Sequence, residues 1–227
     1  MDNAMSEAAA TAKKSARAKR KNDPEAVRQD LLQVAIQEFA EHGLAGARVD
    51  RIAANSRASK MMLYYYFDNK EGLYIAALEQ SYIQIREAER DLDVDSLPPL
   101  AALRSFIRFT FERHQKNPEY VRLVVNENLA FGEHIRKSEK LRNLNAFAME
   151  KVRSIFARGV ADGTLRPGID PTHFFMTVGA LSFYQVSNKY TFASVFEVDM
   201  DTKAALDERL HQITELLVHG VSRRPED

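Results

Sequence analysis

The sequence predicts an all-α protein, and three observations predict it. From Asp23 onward, apolar residues recur at spacings of three and four, the period of one helix face, as in Val27, Leu31, Val34, Ala35 and Phe39. No stretch alternates apolar and polar residues in the manner of a half-buried strand. The breaks between periodic stretches carry proline, glycine or Asp/Asn pairs, which end and restart helices. About nine helices are expected.

Residues 1–22 are rich in Ala, Lys and Arg and read as a flexible basic arm. Its acid-free run Lys13, Lys14, Arg17, Lys19, Arg20 and Lys21 fits either a solvated tail or a segment that meets phosphates. Asp23 is placed to cap the first helix, with Pro24 at its first position and Gly43 at its end. A short second helix spans about Val49 to Asn55, and a third starts behind Ser59 and ends near Phe67. Asp68 and Asn69 cap a long fourth helix with Leu73, Ala76, Ala77, Gln80 and Ile83 along one face. Asp95-Ser96-Leu97-Pro98-Pro99 cannot continue it. Further helices are expected at about 99–116, 119–131, 138–162, 171–190 and 202–222, with a loop over 191–199.

Composition excludes several classes of function. The 227 residues carry 32 Lys and Arg against 32 Asp and Glu, so any attraction to nucleic acid must come from the distribution of charge. There is no cysteine, hence no disulfide and no thiolate nucleophile or metal ligand. The longest apolar stretch, Phe174 to Tyr184, is interrupted by Thr177, Gly179 and Ser182 and falls short of the roughly 20 residues a membrane span needs. Without a secretory h-region at the N-terminus, a cytoplasmic location is expected. The six histidines are scattered, with no His-x-x-x-His pair, and glycine-rich phosphate loops are absent. No metal, no cofactor and no enzymatic activity are therefore expected.

The segment from Arg48 to Phe67 holds two short helices joined by a tight turn. Ile52 and Ala53 give the first an apolar side, and Leu63 and Phe67, four apart, give the second its inward face. Ser59 is placed to cap the second helix, leaving Lys60, Met61, Tyr64 and Tyr65 on or near the outward side. Such a surface suits phosphate oxygens and base edges in a major groove. The aromatic run could instead be core, but four consecutive aromatics cannot all face inward at 3.6 residues per turn.

The run Leu63-Tyr64-Tyr65-Tyr66-Phe67-Asp68-Asn69-Lys70-Glu71-Gly72-Leu73, with Ile52-Ala53 and the pattern from Phe39 to Gly43, resembles the tetracycline-repressor-like (TetR) family. The motifs cover about residues 25–85. The resemblance implies a helix-turn-helix DNA-binding domain over 23–85 (motif 48–67) and a helical ligand-binding and dimerisation body over 86–227. It implies a sequence-specific regulator, most often a repressor that a small molecule releases from a palindromic operator in double-stranded DNA. By position it implies DNA contacts at Arg48, Arg51, Ser59, Lys60, Met61, Tyr64, Tyr65, Tyr66 and Lys70. Two departures stand out. Arg57 occupies the turn position where the family carries glycine, so backbone strain is expected there. Arg48 replaces the usual Ser or Thr cap of the second helix.

In the body, polar residues inside apolar helices mark a candidate pocket: Asn126, Asn128, Tyr184 and Asn188, beside Phe106, Phe109, Phe147 and Phe174. The last two helices are expected to pair two copies. Leu206, Leu210, Ile213, Leu216, Leu217 and Val221 give the final helix a broad apolar face, and Gly179, Ala180 and Ser182 permit close approach on the one before. Two other readings stay open: a helical enzyme or small-molecule carrier with no DNA role, and an adaptor that binds protein through the same helices. The operator, the effector and the direction of regulation are not legible.

Overall fold

The structure, a computed structural model, describes residues 23–144 and 146–223, and of residues 146–148 the backbone alone. The basic arm lies outside the described residues. The chain divides into two compact units between Ala77 and Leu78.

The first unit contains α1 (Pro24–Gly46), α2 (Val49–Asn55), α3 (Lys60–Phe67) and the opening turns of α4 (Lys70–Arg90). The Asp23 carboxylate accepts the N–H groups of Glu25 (3.1 Å) and Ala26 (3.3 Å), and Pro24 takes the position where no N–H is needed. Regular helix stops at Gly43, whose φ of 62° and ψ of 178° suit glycine alone, and one further turn reaches Gly46. Leu31, Ala35 and Phe39 of α1, Ile52 of α2, Leu63 of α3 and Leu73 of α4 are wholly buried, and Phe39 meets Tyr74 edge-on at 5.1 Å. Each buried Leu or Ile contributes roughly 1.5–3 kcal/mol. That packing holds α2 and α3, which are too short to persist alone.

The second unit continues with α5 (Pro99–Lys116), α6 (Pro118–Leu129), a 3-10 turn (Ile135–Lys137), α7 (Glu139–Leu144), α8 (Ala146–Ala161), α9 (Pro171–Ser187), α10 (Lys189–Phe196) and α11 (Lys203–Val221). Helix α5 sits at its centre, against α6, α8, α9 and α11. Leu103 and Ile107 of α5, Val152 and Ile155 of α8, Val178 of α9 and Ile213 of α11 form the buried middle. The segment before Pro99 is tied down by Arg158 of α8, which donates to the carbonyls of Val94 (2.7 Å), Leu97 (2.8 Å) and Asp95 (3.2 Å). Among the described residues no helix is long and apolar enough to cross a membrane.

The structure departs from the sequence reading in two places. The stretch 191–199, expected as a loop, is helical through Phe196. There Phe192 packs edge-on against Tyr184 (6.0 Å) and contacts Phe196 one turn on (4.5 Å), contacts that periodicity could not foresee. Of the helix expected over 138–162, the residues from Glu139 to Leu144 (α7) and from Ala146 to Ala161 (α8) are helical, position 145 lying outside the described residues. The second departure concerns the apolar face expected to pair two copies. Leu210, Ile213, Leu217 and Val221 are buried against their own chain, as is Val178 of α9. Of the residues expected there, Ala180 on α9 and Leu216 (67% exposed) on α11 are left bare, with Met176 (61%) and Tyr184 beside them on α9.

Ile213 is 1% exposed at the centre of this core. Ile213→Ala is expected to cost about 2–5 kcal/mol, read as a lower urea midpoint with an unchanged slope.

Candidate functional site

Two places carry chemistry, one in each unit. In the first, the turn between α2 and α3 is held from α1 by carboxylates. Asp30 accepts the Arg57 N–H (2.7 Å) and lies 3.6 Å from its guanidinium. Arg57 does not have the positive φ expected for the glycine position; the non-glycine residues with positive φ among those described are Asp68, Phe131 and Glu197. The turn is closed instead by hydrogen bonds: Ser56 Oγ donates to the Ala53 carbonyl (3.2 Å) and accepts from the Ala58 N–H (3.3 Å). The expected strain is therefore absent at Arg57.

Glu38 is the second carboxylate, 9% exposed within α1. It accepts the backbone N–H of Arg48 (2.7 Å), and the Arg51 guanidinium grips it at 2.7, 2.9 and 3.1 Å. Burial alone would raise the Glu38 pKa, but the bonds from Arg51 and Arg48 and the charges of Arg51 and His42 outweigh it and hold the carboxyl below its usual range. The Arg48 side chain caps nothing, and Glu38 fixes the start of α2 differently, by accepting the N–H of the cap residue itself.

Helix α3 starts on Ser59, whose hydroxyl accepts the Met62 N–H (3.2 Å). Leu63 and Phe67 face inward, while Met61 (80% exposed), Tyr64 (42%) and Tyr65 (85%) stand on one outward surface with Lys60. Lys60 pairs with Asp50 at 2.8 Å, both exposed, so a phosphate can compete for it readily. Besides Ser59 and Lys60, three of the nine expected contact residues have side chains with partners within the head. Arg51 is clamped to Glu38 and also reaches the Gly46 carbonyl (3.3 Å). The Tyr66 hydroxyl donates to the Pro24 carbonyl (3.3 Å), and Lys70 Nζ donates to that of Ala45 (3.3 Å). At the next junction the Asn69 side chain accepts the Gly72 N–H (2.8 Å). A Cβ at Gly72 would lie 2.2 Å from the Phe67 carbonyl oxygen, which is why glycine stands there.

In the second unit a cavity of about 680 Å³ opens between α4, α5, α6 and α9. Of the expected pocket residues, Phe106 and Asn128 line it. Tyr184 and Asn188 line a neighbouring surface groove that shares Asn128. Phe174 is core against Phe156 (5.1 Å), and Phe109 and Asn126 are half-buried and not part of the cavity lining. The Phe147 side chain lies outside the described residues. Glu127 serves the fold, accepting the N–H groups of His134 (2.7 Å) and Ile135 (2.8 Å).

Sequence reasoning missed the cavity's polar side, Arg86, Glu89, His114 and Tyr120. The signal was present: Glu89 continues the inward stripe of Leu78, Tyr82 and Ile85, and His114 continues that of Leu103, Ile107 and Thr110. Arg86 is ion-paired with Glu89. Burial raises the Glu89 pKa against the opposing pull of Arg86, Arg113 and Lys151. Burial first, and the Arg86 charge second, push the His114 pKa down to about 4, so its ring is neutral. Burial pushes the Tyr120 hydroxyl up, and the neighbouring Tyr82 adds to the shift. Among the described residues no group of three or more His, Asp or Glu could hold a metal ion.

Residues 31–77 match the family described as bacterial regulatory proteins, tetR family, and residues 99–217 match the tetracyclin repressor-like C-terminal domain. The chain is 34% identical to the HTH-type transcriptional repressor NicS of Pseudomonas putida over 86% of its own length and 92% of that protein's. It is 29% identical to the HTH-type transcriptional regulator RutR of Escherichia coli over 91% of its length and 95% of that protein's. A transcriptional regulator from Streptomyces coelicolor superposes with a TM-score of 0.65 at 26% identity, covering 87% of this chain and 99% of the other.

Because its folded pKa is depressed, Glu38 contributes stability that is complete above the ordinary value of 4.5 and is lost as pH falls through the lower folded value. Glu38→Gln is expected to be less stable than the parent at neutral pH. The gap between them should narrow below about pH 4.5 in melts taken across a pH series.

Proposed function

The chain belongs to the tetR family and is a DNA-binding transcriptional regulator, and we propose that it grips a palindromic operator as a homodimer and lets go when a small molecule fills the body cavity. The observation that carries this reading is the outward face of α3, where Lys60, Met61, Tyr64 and Tyr65 stand free of the core on a helix only eight residues long. On this reading Tyr64 and Tyr65 meet base edges or phosphates, Lys60 exchanges Asp50 for a phosphate, and the α3 N-terminus at Ser59 adds backbone N–H groups. Arg48 lies exposed beside them. Arg51, Tyr66 and Lys70 serve mainly to hold the helices in place. The arm, 1–22, adds sequence-independent attraction.

The named relatives are regulators, which favours a binding role in the cytoplasm over catalysis or carriage. The cavity supports release by a small molecule, since it is walled by phenylalanines and carries a few polar groups. One head makes few contacts, so specific binding requires two, with recognition helices about one DNA turn (~34 Å) or a multiple apart. The bare stripes on α9 and α11 support pairing through the last long helices, by Met176, Ala180 and Leu216 rather than by the residues now seen to be core.

Lys60→Ala is expected to weaken binding to specific and random DNA alike and to lower the salt slope by about one. Tyr64→Ala should cost on the order of 1–3 kcal/mol of affinity for the DNA upstream of its own gene. Equal affinity of both variants and the parent, by fluorescence anisotropy at two salt concentrations, places the contact surface elsewhere. The pairing has its own test. Met176→Glu with Leu216→Glu changes only exposed positions, so the circular dichroism spectrum should stay as it is while light scattering reads a monomer and operator binding is lost. A variant that stays dimeric rules out this face.

A further inference from the structure

The body cavity has an apolar side and a polar side, and the two demand different things of an occupant. Phe175 and Phe183 supply aromatic surface, backed by Phe106, which is 1% exposed and lies 6.1 Å from Phe175 between rings. His114 extends it, lying parallel to Tyr120 (7° between planes, 6.2 Å) and meeting Phe183 edge-on at 5.7 Å. A saturated chain would fill the space without using these faces, whereas a flat ring matches them by stacking and edge contacts.

The polar side is unfinished. Arg86 spends one Nη on Glu89, but its Nε is buried without a hydrogen-bond partner, and so is Nδ1 of His114. Buried polar nitrogens are almost always partnered, so two of them on side chains that line one cavity point to a group that accepts hydrogen bonds once a small side-chain shift exposes them. The charge balance narrows the choice further. Glu89 is the carboxylate here, and it feels three cations, Arg86, Arg113 and Lys151. Glu127, the other acid nearby, is occupied with the backbone of the 3-10 turn. His114 is neutral and adds no charge. The excess is positive, and an occupant bearing one negative charge would reduce it.

We infer that the cavity takes a compact aromatic carboxylate, its ring among Phe106, Phe175 and Phe183 and its carboxylate on Arg86 Nε and His114. The inference rests on the reading of the body as the effector-binding unit. The volume of about 680 Å³ is within the range of small-molecule sites and holds one ring or a fused pair with space to spare.

Isothermal titration of the full-length protein tests this with benzoate, 2-naphthoate, their two amides, cyclohexanecarboxylate and decanoate. The aromatic acids should bind at least tenfold more tightly than their amides and than the two aliphatic acids. In the double variant Arg86→Gln with Glu89→Gln, which keeps the site hydrogen-bonded and balanced, the aromatic acids should lose at least tenfold while the amides change less than twofold. Amides equal to acids, aliphatic acids equal to aromatic ones, or no binding by the aromatic acids would each overturn the inference. These comparisons are made within the parent protein, so a variant that fails to fold does not rescue it. A second measurement separates the inference from the reading beneath it, namely release of the DNA upstream of its own gene. Aromatic acids that bind without releasing DNA leave the site standing and sink the effector role. Decanoate releasing DNA while the aromatic acids do not bind does the reverse.

Discussion

A carboxylate that is almost fully withdrawn from water must be paired, and in the head that requirement falls on Glu38. Its four hydrogen bonds all go to the start of α2, one to a backbone N–H and three to the Arg51 guanidinium. Leaving such a group unpaired is costly, so this acid fixes the position of α2 relative to α1 together with the buried Ile52. Asp30 does the same for the turn that follows, through the Arg57 N–H. With α2 and the turn held, α3 has little freedom left: Leu63 and Phe67 go inward and the other aromatics have to face solvent. The outward surface of α3 is thus a consequence of bonds made on the far side of the head.

The body solves a different problem with the same physics. A cavity bounded by phenylalanines is a poor place for charge, yet Arg86 and Glu89 stand on its wall. They are tolerated because each neutralises the other and because Arg113 and Lys151 lie near enough to act on Glu89. His114 responds to the same surroundings by staying neutral. Buried polar layers of this kind add little stability over an apolar core.

Much of the fold was legible because it is local. Caps at Asp23, Ser59 and Asn69, the stop at Gly43 and the inward pair Leu63 and Phe67 follow from residue type and spacing, and the structure has each of them. The departures share a cause. Helix α10 exists because its aromatics meet Tyr184 on α9 and one another. Arg57 escapes strain because Asp30, 27 residues earlier, receives its N–H. The apolar face of α11 is core because α5 packs against it, while the smaller stripe around Leu216 is the one left bare.

The sequence by itself therefore determined the helical class, most of the helices, the two-helix motif and the outward set Lys60, Met61, Tyr64 and Tyr65, all of which depend on periodicity and end signals within about twenty residues. Only the tertiary structure decided that Arg51 turns inward to Glu38, that Phe174 is core while Phe106 and Asn128 line a cavity, and that Arg86, Glu89, His114 and Tyr120 share its wall. Those outcomes depend on which helix faces which, and a pairing between distant segments leaves no periodic mark on either of them.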